Sequence, residues 1–140
     1  MTGGVLNDVL IRSLGPRIAR SAVGFTGATL GAVLIAVAVG VEDGRWAMLV
    51  LAGARFFADW SQPTVWGTIS DVGGKAAGTV FGAVNTAGSV GAFAAGPVLG
   101  WIKQSYGWST VFWTVAGVYL VAGLSWLAVD CTRRIVKEAA

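Results

Sequence analysis

Two charged residues, Arg55 and Asp59, lie inside a long apolar stretch and are the first candidates for chemistry. Because they are four residues apart, they share one face of a helix and can form an ion pair there. An unpaired charge inside a membrane span is costly, so such groups normally face other protein and are paired. Two interpretations stay open: an ion pair that fixes helix packing, or a group on a substrate or proton path.

Trp66 and Asn85 form a second candidate pair, on two consecutive apolar stretches. A tryptophan offers a flat apolar wall and one N–H donor, and an asparagine offers both a donor and an acceptor. Together they could orient a small polar organic solute. The alternative for Asn85 is a hydrogen bond between helices, which contributes about 0.6–2 kcal/mol in membranes.

Several other chemistries are excluded by composition. The chain has 140 residues, no histidine and a single cysteine, Cys131. It therefore lacks an internal disulfide, a Cys/His zinc site and Ser-His or Cys-His catalysis. It also lacks a glycine-rich phosphate-binding loop ending in Lys-Ser or Lys-Thr. We expect neither an enzyme nor a bound metal or cofactor. The net charge of +3 is not arranged in a continuous basic stripe, which argues against nucleic acid as a partner.

Four apolar stretches place the candidate residues in a lipid bilayer. The chain is 55% hydrophobic and 12% charged, whereas soluble domains carry about 25% charged residues. Since about 20 apolar residues cross the hydrocarbon core as a helix, the sequence predicts an all-α membrane protein with four transmembrane helices. The predicted spans cover about 22–41, 46–70, 76–102 and 108–129, with a loop at 1–21 and a tail at 130–140. Pro63 is expected to kink the second span.

Glycines are frequent in the third span and pair at helical spacing. Gly78 and Gly82 form a GxxxG pattern, and Gly27 and Gly31 form another in the first span. In lipid a segment must satisfy its own backbone hydrogen bonds, so a helix is still expected. Small residues let neighbouring helices approach closely. The third span is therefore predicted to lie inside a helical bundle.

Orientation follows from the distribution of basic residues. The loops predicted on one side carry Arg12, Arg17, Arg20, Lys75, Arg133, Arg134 and Lys137, and the other side carries Arg45 and Lys103. The positive-inside rule puts both termini in the cytoplasm, with the spans in the plasma membrane, or the inner membrane of a bacterium. A signal peptide is disfavoured, because the span 22–41 exceeds the usual 7–15-residue apolar core and further spans follow.

The sequence Gly4-Val5-Leu6-Asn7-Asp8, followed by basic residues at 12, 17 and 20, resembles a cytoplasmic loop motif of the major facilitator superfamily. The stretch 66–102 resembles helices 10 and 11 of its anion:cation symporter branch, with a mid-helix asparagine and a late Gly-Pro. The resemblance implies that the chain holds helices 9 to 12, part of the C-terminal six-helix half. The chain departs from the resemblance in length, since the N-terminal helices of such a transporter are missing, and the expected explanation is a truncated, split or misannotated gene.

The resemblance also implies roles for particular residues. Trp66 and Asn85 match residues that line the central cavity in this branch, and Asp8, with Arg12, matches a gating loop that latches helix ends. The implied function is transport of a small organic anion, together with protons. No role is carried over to Arg55 or Asp59. The alternatives are a self-contained four-helix protein that works as a homo-oligomer, either as a small exporter or as a non-transporting scaffold.

Overall fold

The computed structural model describes residues 9–132, and within them the chain is helical and contains no strand. A helical turn covers 9–14. The longer elements are α1 (Pro16–Ala38), α2 (Gly44–Trp60), α3 (Gln62–Gly73), a 3-10 turn (Gly74–Ala76) and α4 (Ala77–Ser125). Two stretches of this part of the chain, Pro16–Ala38 and Gly44–Ser125, are long and apolar enough to cross a membrane. The predicted all-α class agrees with this architecture.

The first helix begins earlier than the predicted span. α1 starts at Pro16, inside the stretch assigned to a loop, and ends at Ala38. Proline suits the first turn of a helix because its missing N–H has no helical partner there. The basic residues Arg17 and Arg20 therefore lie in the first two turns of α1 and not in a loop.

The second predicted span is two helices. α2 ends at Trp60 and α3 begins at Gln62, with Ser61 between them in a helical conformation. Pro63 lacks the N–H that a continuous helix requires, so it interrupts the hydrogen-bond ladder. The hydroxyl of Ser61 donates to the carbonyl of Ala58 at 2.8 Å. The break expected at Pro63 is thus present, and it leaves the two helices joined end to end.

A single glycine divides α4 into a first segment (77–106) and a second segment (108–125). Gly107 has φ 82° and ψ 177°, inside what is otherwise continuous helix. Only glycine adopts such a backbone conformation without steric strain. The turn predicted between the third and fourth spans, at 103–107, is consequently helical up to Tyr106, and the helix is interrupted at Gly107.

α1 packs against both α2 and the second segment of α4. Gly27 faces α2, where an added Cβ would lie 2.9 Å from the carbonyl oxygen of Phe57. Gly31 lies against the ring of Tyr119 on the second segment of α4 and near the carbonyl of Ala54 on α2. The GxxxG pattern of the first span therefore allows a close helix crossing. The side chains of Ile35, Ala54 and Ala116 form the buried core between the three helices.

The first segment of α4 differs from the sequence prediction. Its glycines at 78, 82, 88, 91, 96 and 100 have nothing within 4 Å of an added Cβ, and residues 82–98 are exposed. Within the described chain this segment is thus not the inside of a bundle. Its helical form was predicted correctly. Its small-residue face was expected to pack against other helices, but no helix of residues 9–132 covers it.

Candidate functional site

A cavity of about 400 Å³ lies between α3 and the first segment of α4. We call it the α3–α4 cavity. Its lining includes Gln62, Trp66, Ile69, Phe81, Asn85 and Ser89. The structure thus brings Trp66 and Asn85 to the same cavity, although they are on separate helices. Their proposed part in binding a solute stays a prediction.

The aromatic wall of this cavity is a stack of two rings. Trp66 and Phe81 have ring centroids 4.6 Å apart with an angle of 27° between the ring planes. Trp66 is still 51% exposed, so one face of the indole is available to a ligand. The stack holds the indole in place because each ring restricts the rotamers of the other. A rigid flat surface of this kind suits the apolar part of a small organic molecule.

The polar groups of the cavity are neutral. Asn85 and Ser89 are exposed and lie one turn apart on α4, and Gln62 is exposed at the start of α3. Amide and hydroxyl groups can both donate and accept hydrogen bonds. The cavity can therefore orient a polar solute, but its lining carries no positive charge to neutralise an anion.

Gln62 and Phe81 were not selected from the sequence. The hydroxyl residues Thr64 and Ser89 have a weaker claim there, because most hydroxyls in membrane helices bond their own backbone. The signal was helical spacing: Gln62 is four residues before Trp66, and Phe81 and Ser89 are four residues either side of Asn85. Residues with this spacing share one face of a helix. Thr64, a weaker candidate on α3, is fully buried and does not reach the cavity.

Arg55 and Asp59 form the predicted ion pair on α2. The distance from Arg55 Nη2 to Asp59 Oδ1 is 2.9 Å. The side chains are 73% and 49% exposed, so the pair faces away from the core formed by α1. Interhelical contacts within the described chain therefore do not account for this pair. A role in packing and a role in transport both stay predictions for this pair.

The predicted gating loop lies partly beyond the described residues. Asp8 is outside them, so the structure gives no account of the latch. Arg12 is exposed on the helical turn at 9–14. The role assigned to the two residues stays a prediction.

A different arginine makes the firmest ionic contact at this end of the chain. Arg20 is buried, and its Nη2 lies 2.7 Å from Asp71 Oδ2, while Nη1 donates to the carbonyl of Thr64 at 3.5 Å. The guanidinium crosses directly over Gly67, where any Cβ would overlap Nη1. The pair ties the start of α1 to the end of α3. Sequence reasoning counted Arg20 only as a basic residue, because nothing local connects it to a position 51 residues later.

Similarity to known proteins points to membrane transport. The chain is related in sequence to a transporter. The relative is the probable sulfoacetate transporter SauU of Cupriavidus necator, to which it is 30% identical over 122 residues, 86% of this chain. The chain spans 28% of the length of that protein. No protein-family model matches the sequence, and no solved structure matches it.

Proposed function

We propose that this chain is the C-terminal part of a secondary active transporter that moves a small organic anion across the membrane together with protons. The proposal depends on one observation above all: Trp66 and Asn85, selected from the sequence, line the same cavity. The similarity to a probable sulfoacetate transporter supports an organic anion as the solute. In the proposed assembly the four spans correspond to helices 9 to 12 of a major facilitator fold, in the plasma membrane.

The exposed first segment of α4 fits this assembly. Transporters of this type place their solute between two six-helix halves, and the first segment of α4, which lines the α3–α4 cavity, is exposed over residues 82–98. In this assembly the other helices of the transporter would cover residues 82–98 and complete the cavity. Two ion pairs join segments at one end of the bundle: Arg17–Asp130 connects the start of α1 to the residues after α4, and Arg20–Asp71 connects it to the end of α3. By the positive-inside rule that end faces the cytoplasm, and both termini would lie on the same side of the membrane.

A homo-oligomer is the second candidate, and the same exposed face favours it. A second copy of the chain could bury the small residues of α4 just as well as the other helices of a transporter. Small multidrug exporters have this size but carry a glutamate in their first helix. The span 22–41 has no charged residue, which counts against such an exporter.

A chimera tests the transporter proposal directly. The region of the sulfoacetate transporter that aligns with this chain is replaced by it, and uptake of radiolabelled sulfoacetate into cells is measured. We expect uptake above that of cells with an empty vector, and a loss of at least about tenfold with Asn85→Ala or Trp66→Ala. Met48→Leu, on the exposed face of α2, is the matched control and should leave uptake unchanged. A chimera that inserts in the membrane at normal levels without any uptake would contradict the proposal.

A further inference from the structure

A second cavity, also of about 400 Å³, lies along the first half of α1. We call it the α1 groove. Its lining includes Arg17, Ile18, Ser21, Ala22, Phe25 and Leu127, the last of which follows the end of α4. Thr26 also lines it, but its hydroxyl donates to the carbonyl of Ala22 at 2.7 Å and is used there. The groove is therefore largely apolar, and Arg17 is the charged residue among the described residues that line it.

The α1 groove faces away from α3 and from the α3–α4 cavity. Arg20 extends from α1 to Asp71 on α3. Ile18 and Ala22 are each two residues from Arg20, a rotation of about 200° around a helix, so they lie on the opposite face of α1. Trp66, in the α3–α4 cavity, is five residues from Asp71, a rotation of about 140°, so α3 separates that cavity from α1. The helices that would complete the α3–α4 cavity are thus expected on one side, and the α1 groove faces lipid on the other.

The polar end of the groove suits an anionic group. The Nη1 atom of Arg17 is 3.9 Å from Oδ2 of Asp130, which is longer than a hydrogen bond. The other oxygen of Asp130 accepts from the N–H and the hydroxyl of Thr132 at 3.1 and 2.6 Å. Ser21 follows Arg17 by four residues, so its hydroxyl lies one turn further along the same face. Arg17 is also the second residue of α1, where the helix dipole adds positive potential.

We propose that the α1 groove binds an anionic phospholipid, with the lipid phosphate on Arg17 and one acyl chain along the apolar lining. The inference rests on the membrane assembly of the proposed function, and it concerns a ligand other than the transported solute. By the positive-inside rule Arg17 lies at the cytoplasmic interface, where basic residues attract anionic lipids. A guanidinium forms bidentate, charge-assisted hydrogen bonds with a phosphate group. Neither a free anion nor an uncharged lipid would use both ends of the groove.

The test is binding of radiolabelled phosphatidylglycerol to the purified, delipidated 140-residue chain in a non-ionic detergent, measured by scintillation proximity. We expect Arg17→Gln to weaken binding about fivefold, the factor for one basic residue next to anionic lipid. Its side chain is 58% exposed, so this variant should fold. Ala22→Phe fills the groove without changing the charge and should weaken binding by a similar factor. Arg45→Gln is the matched control: it removes an exposed arginine at the start of α2, next to the far end of α1, and should leave binding unchanged.

Competition separates the possible occupants of the groove. Phosphatidylcholine should displace the labelled lipid only weakly, and inorganic phosphate at constant ionic strength should not displace it. Displacement by inorganic phosphate, or equal binding by Arg17→Gln and Arg45→Gln, would overturn the inference. The same assay on the sulfoacetate-transporter chimera should show the same effect of Arg17→Gln; its loss there would mean that another helix covers the groove, and the inference would be wrong. Uptake by the chimera is a separate measurement, so the proposed function stands or fails independently of these results.

Discussion

The buried contact between Arg20 and Asp71 should dominate the stability of one end of the protein. The side chain of Arg20 is 10% exposed and that of Asp71 is 39% exposed. Asp71→Ala would leave the guanidinium with the Thr64 carbonyl at 3.5 Å and with its Nε unsatisfied. Removing one partner of a fully buried pair costs about 3–5 kcal/mol. Because water reaches Asp71, we expect a smaller loss of about 2–3 kcal/mol in the free energy of unfolding.

The loss should depend strongly on whether Arg20 is present. Arg20→Met removes the buried charge, and the carboxylate of Asp71 can then be hydrated, so this variant should lose only about 1 kcal/mol. In that background Asp71→Ala should add little, because no unpaired guanidinium remains buried. The two substitutions are therefore expected to be coupled by roughly 2–3 kcal/mol, well beyond ordinary additivity.

Denaturation in detergent with increasing SDS, followed by circular dichroism, measures these differences. The control is Arg17→Met, since Arg17 is 58% exposed and lies 3.9 Å from its partner Asp130. Its effect should stay within about 0.5 kcal/mol, as for other exposed pairs. Additive effects of Arg20→Met and Asp71→Ala, or a loss for Asp71→Ala no larger than for Arg17→Met, would refute the argument that burial makes this pair matter.

Two further predictions use the glycines and the cysteine. Gly27→Ala should lower the free energy of unfolding by about 1–3 kcal/mol, because its Cβ would press on the Phe57 carbonyl at 2.9 Å. Gly82 has open space around it, so Gly82→Ala should change the free energy of unfolding little or raise it by about 0.5–1 kcal/mol. The same SDS titration compares them, and equal effects would contradict the packing. Burial raises the pKa of the Cys131 thiol, so less thiolate is present at any given pH. Maleimide labelling of the folded chain should be slower than of the SDS-denatured chain, with its onset at higher pH; identical profiles would show that the thiol is not buried.

Particular residues show how far sequence reasoning reached. Spacing along one helix was sufficient for the Arg55–Asp59 pair, because residues four apart on a helix are neighbours whatever surrounds them. Trp66 and Asn85 were predicted as binding residues from their residue types and from a family resemblance. That they line one cavity depends on how α3 and α4 pack. Gln62 and Phe81 were overlooked, although their helical spacing from these two residues was readable.

The sequence by itself determined the helices and their breaks, since apolar length, Pro63 and Gly107 act on the local backbone. It also marked the charges that a membrane must accommodate. The tertiary structure decided which of two similar GxxxG patterns is buried. Gly27 and Gly31 lie against α2 and the second segment of α4, whereas a Cβ added to Gly78 or Gly82 would have no neighbour within 4 Å in the described chain. It also decided that Arg20 passes over Gly67 to reach Asp71. Both outcomes depend on the close approach of segments far apart in the chain, and local pattern carries no information about which surfaces will meet.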